Sequence, residues 1–281
     1  MSSAAGDPPS AGIHPTAVVH PSAKIGAGVK IDPYAVIGPD VELGRGTWVG
    51  AHAVVEFATV GEECRLHPHS FVGTEPQDLK FKGEKTRARL GARTTVRECV
   101  TIHRGTAAAG ETVVGSNCLL MAYGHVAHDA ILADGVIMAN AATLAGHVEV
   151  GPGAFIGGLV GVHQFARIGA GAMIGAGSMV PADVAPFCMV QGDRAKIVGL
   201  NVVGLRRRGT SRDALSAIKA AYRTVFGMGL PLAEAIAQIE KTERPAEVQV
   251  FLEFLKKTSH RGLCRPAPKT ADGEDATEGF F

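Results

Sequence analysis

The chain has 281 residues, a formal net charge of +1 and 20% charged residues, so nothing in its overall balance calls for nucleic acid or an anionic membrane as partner. Glycine is abundant (36 residues) and aromatics make up only 5%, which describes a narrow interior filled by small and branched side chains. The five cysteines are odd in number and include no CxxC pair. No apolar run reaches the ~18 residues a membrane span needs, and "MSSAAGDPPSAG" at the start has no secretory pattern. A reducing, cytoplasmic compartment is the expectation that these features carry.

Residues 1–12 read as a flexible tail. From Ile13 an aliphatic residue recurs every six positions: Val19, Ile25, Ile31, Ile37, Leu43 and Val49. The register slips by one near Val54 and Val55, resumes at Val60, Leu66 and Val72, and continues through Leu90, Val96, Ile102, Val114 and Leu120 to Val180. Neither a helix (period 3.6) nor a flat strand (period 2) sustains sixes. A hexapeptide repeat is the mark of a mainly β solenoid, the parallel β-helix, in which three hexads make one coil of eighteen residues. The solenoid is expected over 13–187. Two segments break the rhythm and are expected to form external loops: 74–89, "TEPQDLKFKGEKTRAR", and 104–112, "RGTAAAGET". Beyond it, 188–264 is expected to be a connecting segment and a helical C-terminal part. Helices are expected at 210–226 (with Thr210 and Asp213 as an approximate capping box), 230–241 and 245–257, before a polar tail at 265–281.

The eighteen-residue coil turns spacing into proximity, because residues eighteen apart stack roughly 4.8 Å from one another. One coil beyond His128 lies Gly146, beside His147. One further lies Gln164, beside His163. With His125 three residues before His128, four histidines are expected in one region. Solvated corner histidines and a zinc site are competing readings of this cluster. General acid–base catalysis is the third: an imidazole suits removal of a hydroxyl proton near neutral pH. Asp129 is a candidate to orient it, although consecutive side chains often diverge. The Gly146 N–H is placed to meet a developing oxyanion, and Ala127, Ala142 and Ala145 leave space for an apolar substituent.

On that background, "QDLKFKGEKTR", "VTIHRGT", "HVAHD", "ATLAGHV" and "VHQF", in that order, closely resemble the UDP-N-acetylglucosamine O-acyltransferase family, from about Ile13 to Gly262. The resemblance implies a left-handed β-helix, a homotrimer with sites between subunits, and the opening step of lipid A biosynthesis. The donor would be an (R)-3-hydroxyacyl chain on acyl carrier protein, and the acceptor the 3-hydroxyl of UDP-N-acetylglucosamine. No cofactor and no metal are implied. His128 matches the general base, Asp129 its partner and Gly146 the oxyanion donor. His125 and His147 match substrate-positioning residues, and Asp78 and Lys80, with Gln77 beside them, match sugar-binding ones. His163 and Gln164 match positions near the nucleotide and acyl groups, and Asn201 and Arg207 the nucleotide side. Val203 departs from the acidic residue frequent in the family. Ala176 falls where the family limits acyl length, and its methyl implies a shorter slot than glycine would leave.

Overall fold

A computed structural model describes residues 12–241, 244–257 and 259–266; the expected tail at 1–12 lies almost wholly outside these, as does that at 265–281 beyond Pro266. Short strands wind into three parallel sheets of eleven, nine and eight strands, one along each face of a triangular solenoid. The aliphatic residue of each hexad points inward and stacks on its equivalents. In one sheet Ile31, Val49, Leu66, Val96, Leu120, Met138, Ile156 and Ile174 form an unbroken column, and every member is buried. Such columns bury almost all of their apolar surface, and that burial, at ~25 cal/mol per Å2, is the main force holding the coils together. The fold is a left-handed parallel β-helix followed by a helical region.

The register shows how the interruptions are accommodated. Val49 pairs with Leu66 at a spacing of 17, the one-residue slip near Val55. Leu66 pairs with Val96 at 30, and Val96 with Leu120 at 24. These spacings exceed one coil by two hexads and by one hexad, so each excursion leaves the solenoid and re-enters in phase. The excursions are shorter than the sequence suggests. Thr74 ends the strand Phe71–Thr74 and Arg87–Leu90 is itself a strand, so the first loop is 75–86. The second is 104–110, because the strand Glu111–Val114 starts inside the expected segment.

At the far end the strand Cys188–Gln191 still pairs in parallel with Met173–Ile174, and Lys196–Leu200 then folds back antiparallel and closes the edge. Four helices follow: α1 (Val202–Arg207), α2 (Arg212–Gly227), α3 (Leu232–Glu240) and α4 (Ala246–Lys256). The residue that caps α2 is Ser211, whose Oγ accepts from Ala214 N–H at 3.1 Å, in place of the expected Thr210–Asp213 box. The helices bury Leu215, Ile218, Val225, Ile239, Phe251 and Leu252 against one another. A clasp ties them to the solenoid: Asp183, fully buried, accepts from Arg167 Nη2 at 2.7 Å, and the Arg167 guanidinium lies 4.6 Å from the Phe254 ring of α4. No helix among the described residues is long and apolar enough to cross a membrane.

Candidate active site

The histidine cluster sits on the corner between the second and third sheets. Three successive coils place Asp129, His147 and Phe165 at the same corner position, each in the left-handed backbone region (φ 61, 60 and 65). This conformation, costly for residues with a Cβ by ~1–2 kcal/mol, turns the side chains outward and stacks them. The His147 ring lies 4.6 Å from Phe165, nearly parallel to it, and 5.3 Å from His128, edge-on.

His128 and Asp129, though consecutive, converge. The turn brings His128 Nδ1 to 2.8 Å from Asp129 Oδ2, so Nδ1–H donates to the carboxylate and Nε2 is left as the acceptor facing outward. The Asp129 side chain is wholly buried and that of His128 is 11% exposed, so the pair is shielded with one edge of the imidazole accessible. His147 Nε2 stands 3.5 Å from the same Oδ2. Burial pushes the Asp129 carboxyl upward, but hydrogen bonds from His128 and from the Thr106 hydroxyl and N–H together hold it below the usual carboxylate value. Burial lowers His147, with Asp129 and Asp78 pulling the other way. Asp78, in the first loop, therefore lies close enough to act on this corner.

Gly146 is where it is because nothing larger fits. A Cβ there would stand 2.6 Å from His128 Cε1 and 2.8 Å from Nε2. The imidazole is laid flat against the glycine backbone, whose N–H donates to no acceptor among the described residues.

His125 sits on the adjoining strand, hydrogen-bonded through Nδ1 to Thr101 Oγ1 at 2.6 Å and edge-on to His103 at 4.8 Å. Burial, with His128 nearby, lowers its pKa. The expected fourth member is not in the stack. His163 is exposed, its Nδ1 turned to the Gln164 carbonyl, and Phe165 occupies the coil position above His147. The reason is the register: eighteen beyond His147 is 165, whereas 163 follows Ala127 and Ala145 on the strand edge.

The remaining candidates are spread along the molecule. Gln77, Leu79 and Lys80 are exposed on the first loop, where Asp78 Oδ1 accepts from Lys80 N–H at 3.0 Å. Ala176 is exposed on a different corner. The Asn201 amide caps α1, accepting from Gly204 N–H at 2.9 Å and donating to Gly171 O at 3.1 Å, so both its ends are engaged by the fold. Arg207, in the last turn of that helix, is exposed, as is Val203, while Arg208 folds back onto the Gly153 carbonyl. Ligand atoms of His128, Asp129 and His147 lie within 4.8 Å of one another, compact enough for a metal ion. Asp129 is already met by three hydrogen-bond donors there, which fits an orienting carboxylate. The cluster lines neither of two clefts at the helical end; one, of about 250 Å3, lies between α4 and the third sheet.

Comparison with known proteins follows the same lines. Residues 183–264 match the family described as UDP N-acetylglucosamine O-acyltransferase, domain 2, and residues 22–56 match the bacterial transferase hexapeptide repeat. The acyl-[acyl-carrier-protein]–UDP-N-acetylglucosamine O-acyltransferase of Nautilia profundicola is 45% identical over 206 residues, covering 73% of this chain and 79% of that protein. The chain belongs to the UDP-N-acetylglucosamine O-acyltransferase family. Its counterpart of the same name in an Anaeromyxobacter species is 47% identical over 74% of this chain and 81% of its own. The crystal structure of the O-acyltransferase from Moraxella catarrhalis matches with a TM-score of 0.87 at 37% identity, covering 90% of this chain and 99% of that one.

Within this O-acyltransferase fold, residues that the hexad period does not single out surround the pair from behind. Thr106 and Thr112 bond to Asp129, Thr101 bonds to His125, the His103 ring lies edge-on to His125, and Arg104 is buried between Phe57 and Phe81. The signal was present in "VTIHRGT", but which corner the following excursion folds over is not a matter of period.

Proposed function

We propose that the chain transfers an (R)-3-hydroxyacyl group from acyl carrier protein to the 3-hydroxyl of UDP-N-acetylglucosamine, the opening step of lipid A biosynthesis, with His128 as general base. The observation that carries this reading is the His128–Asp129 pair laid against Gly146. Asp129 fixes the imidazole with Nδ1 protonated, so Nε2 is the free base. Nε2 takes the proton of the sugar hydroxyl as its oxygen attacks the carrier-bound acyl carbonyl. The Gly146 N–H, next to that nitrogen, stabilises the oxyanion of the tetrahedral intermediate. Collapse breaks the bond to the carrier thiol, which leaves with the proton held by the imidazolium. One ester is formed, and the base returns to its starting state.

His125 and His147 hold the acceptor beside the base, with Asp78 and Lys80 on the sugar, Gln77 beside them, and His163 and Gln164 toward the nucleotide and acyl groups. Arg207 engages the nucleotide, on a helix seated by Asn201. The corner is open in the single chain, and Leu79, Tyr123 and Leu159 are strongly exposed apolar residues. That supports a homotrimer in which a second subunit closes the site. The cytoplasm is the compartment proposed for this activity, in keeping with five cysteines that are all free thiols.

The test is ester formation from UDP-N-acetylglucosamine and carrier-linked 3-hydroxyacyl donors of graded length. His128→Ala should lower kcat by roughly 10^2–10^4-fold. Equal turnover by the variant removes His128 as base. The same donor series reads the chain length that the Ala176 methyl is proposed to limit.

A further inference from the structure

The pair at the corner is held by a third residue that comes from the second excursion. We infer that Thr106 is a positioning residue for acyl transfer, which locks the Asp129 carboxylate so that His128 keeps one orientation. The inference rests on the proposed role of His128. Thr106 N–H donates to Asp129 Oδ1 at 2.8 Å, and Thr106 Oγ1–H donates to Oδ2 at 2.7 Å. Each carboxylate oxygen thus receives its own donor from one residue, and Oδ2 also receives His128 Nδ1–H. With both oxygens held, rotation about the Asp129 Cβ–Cγ bond would break all three bonds to a side chain that is wholly buried. The direction left for His128 is therefore single.

The proton of the Thr106 hydroxyl is itself directed. Its oxygen accepts from Ala108 N–H at 3.2 Å, so its hydrogen is free to point at the carboxylate. On the other side Thr112 Oγ1 accepts from Asp129 N–H at 2.8 Å and pins the backbone in its left-handed turn. The loop is braced for this purpose. Thr106 O accepts from Gly110 N–H at 2.7 Å and closes it. Arg104 N–H and Gly105 N–H donate to Thr74 O and Arg87 O, at 3.0 and 3.1 Å, and fasten its start. At Gly105 a Cβ would come within 2.4 Å of Glu111 N, so only glycine lets the chain pass its own returning strand there. An excursion that only filled space outside the solenoid would need none of these contacts with a buried carboxylate.

The experiment compares wild type with Thr106→Val, which keeps the shape and the N–H but removes the hydroxyl, and with Thr106→Ser, which restores it. Removing one charge-assisted hydrogen bond behind a reacting group should lower kcat about 10- to 100-fold. The KM for UDP-N-acetylglucosamine should stay within about twofold, and Thr106→Ser should recover most of the loss. Thermal midpoints and trimer mass are measured on the same samples. Wild-type kcat in Thr106→Val overturns the inference, as does a loss in Thr106→Ser equal to that in Thr106→Val; where the valine variant does not fold, a loss of about 10- to 100-fold in folded Thr106→Ser, which keeps the hydroxyl, overturns it. If wild type itself forms no ester, or His128→Ala turns over normally, the functional reading fails instead. A normal His128→Ala loss beside an unaffected Thr106→Val sinks only the role of Thr106.

Discussion

At the scale of single residues, the site depends on close approach more than on charge. Gly146 is outside the left-handed region, so alanine is compatible with its backbone, and its N–H would survive the change. Only the added methyl matters, and it would lie inside the His128 ring contact at 2.6–2.8 Å. The ring must therefore tilt away from the Gly146 N–H proposed as oxyanion donor while its bond to Asp129 stretches. Displacement of a reacting group by about 1 Å costs on the order of 10^2 in rate, so Gly146→Ala is expected to lose about that factor in kcat with a small change in thermal midpoint. Steady-state kinetics beside a melting curve decides it: unchanged kcat would mean that the ring contact is not part of the chemistry. The same closeness explains why Asp129 was hard to assign from sequence. Consecutive side chains diverge in extended chain, and only the positive φ at Asp129 brings the carboxylate back to its neighbour.

At the scale of elements, the hexad is fully legible because each aliphatic residue has a fixed partner one coil away, as in Leu120 over Met138. What the period cannot supply is the path of a segment that leaves it. Thr106 reaches Asp129 across 23 residues, a spacing with no meaning in coils, because the loop crosses the corner by its own hydrogen bonds. His163 neighbours the position that stacks on His147, and Phe165, two residues further on, holds that position instead. The C-terminal elements carry a different kind of signal. Helix α1 has only six residues, too few to hold without its cap. Asn201→Ala removes the bond to Gly204 N–H and leaves Gly171 O without its donor, a cost of about 1–2 kcal/mol. The midpoint should drop by a few degrees, and because α1 carries Arg207 the KM for UDP-N-acetylglucosamine should rise severalfold with kcat nearly kept. Asn201→Asp, which retains the cap oxygen, should fall between. Calorimetry and kinetics on the three proteins check both effects, and an unchanged midpoint would deny the cap its role.

At the scale of the whole molecule, the site makes folding itself sensitive to acid. His103 is buried, edge-on to His125, and its Nδ1 has no hydrogen-bond partner among the described residues. Burial, with the positive charge of neighbouring histidines and Arg104, lowers its pKa to about 4 from the ordinary 6.5. His125 and His147 are lowered by burial as well. Between pH 4 and 6.5 the unfolded chain therefore binds protons that the folded chain refuses, and stability rises with pH across that window. Above about 6.5 the term is complete; as pH falls it is lost, until near pH 4 both states are protonated. For His103 alone the loss amounts to about 3 kcal/mol. Asp129, held below the usual carboxylate value, adds a further loss below about pH 4 as its bonds to His128 and Thr106 give way. Replacing His103 by asparagine keeps a polar side chain but removes the titration, so the midpoint of the variant should depend less on pH. The gap between the two proteins should widen in favour of wild type from pH 4 to 6.5 and then stay level. Parallel melting curves across that range would show that His103 charges freely in the folded state, and with it that the interior behind the His128–Asp129 corner is wet.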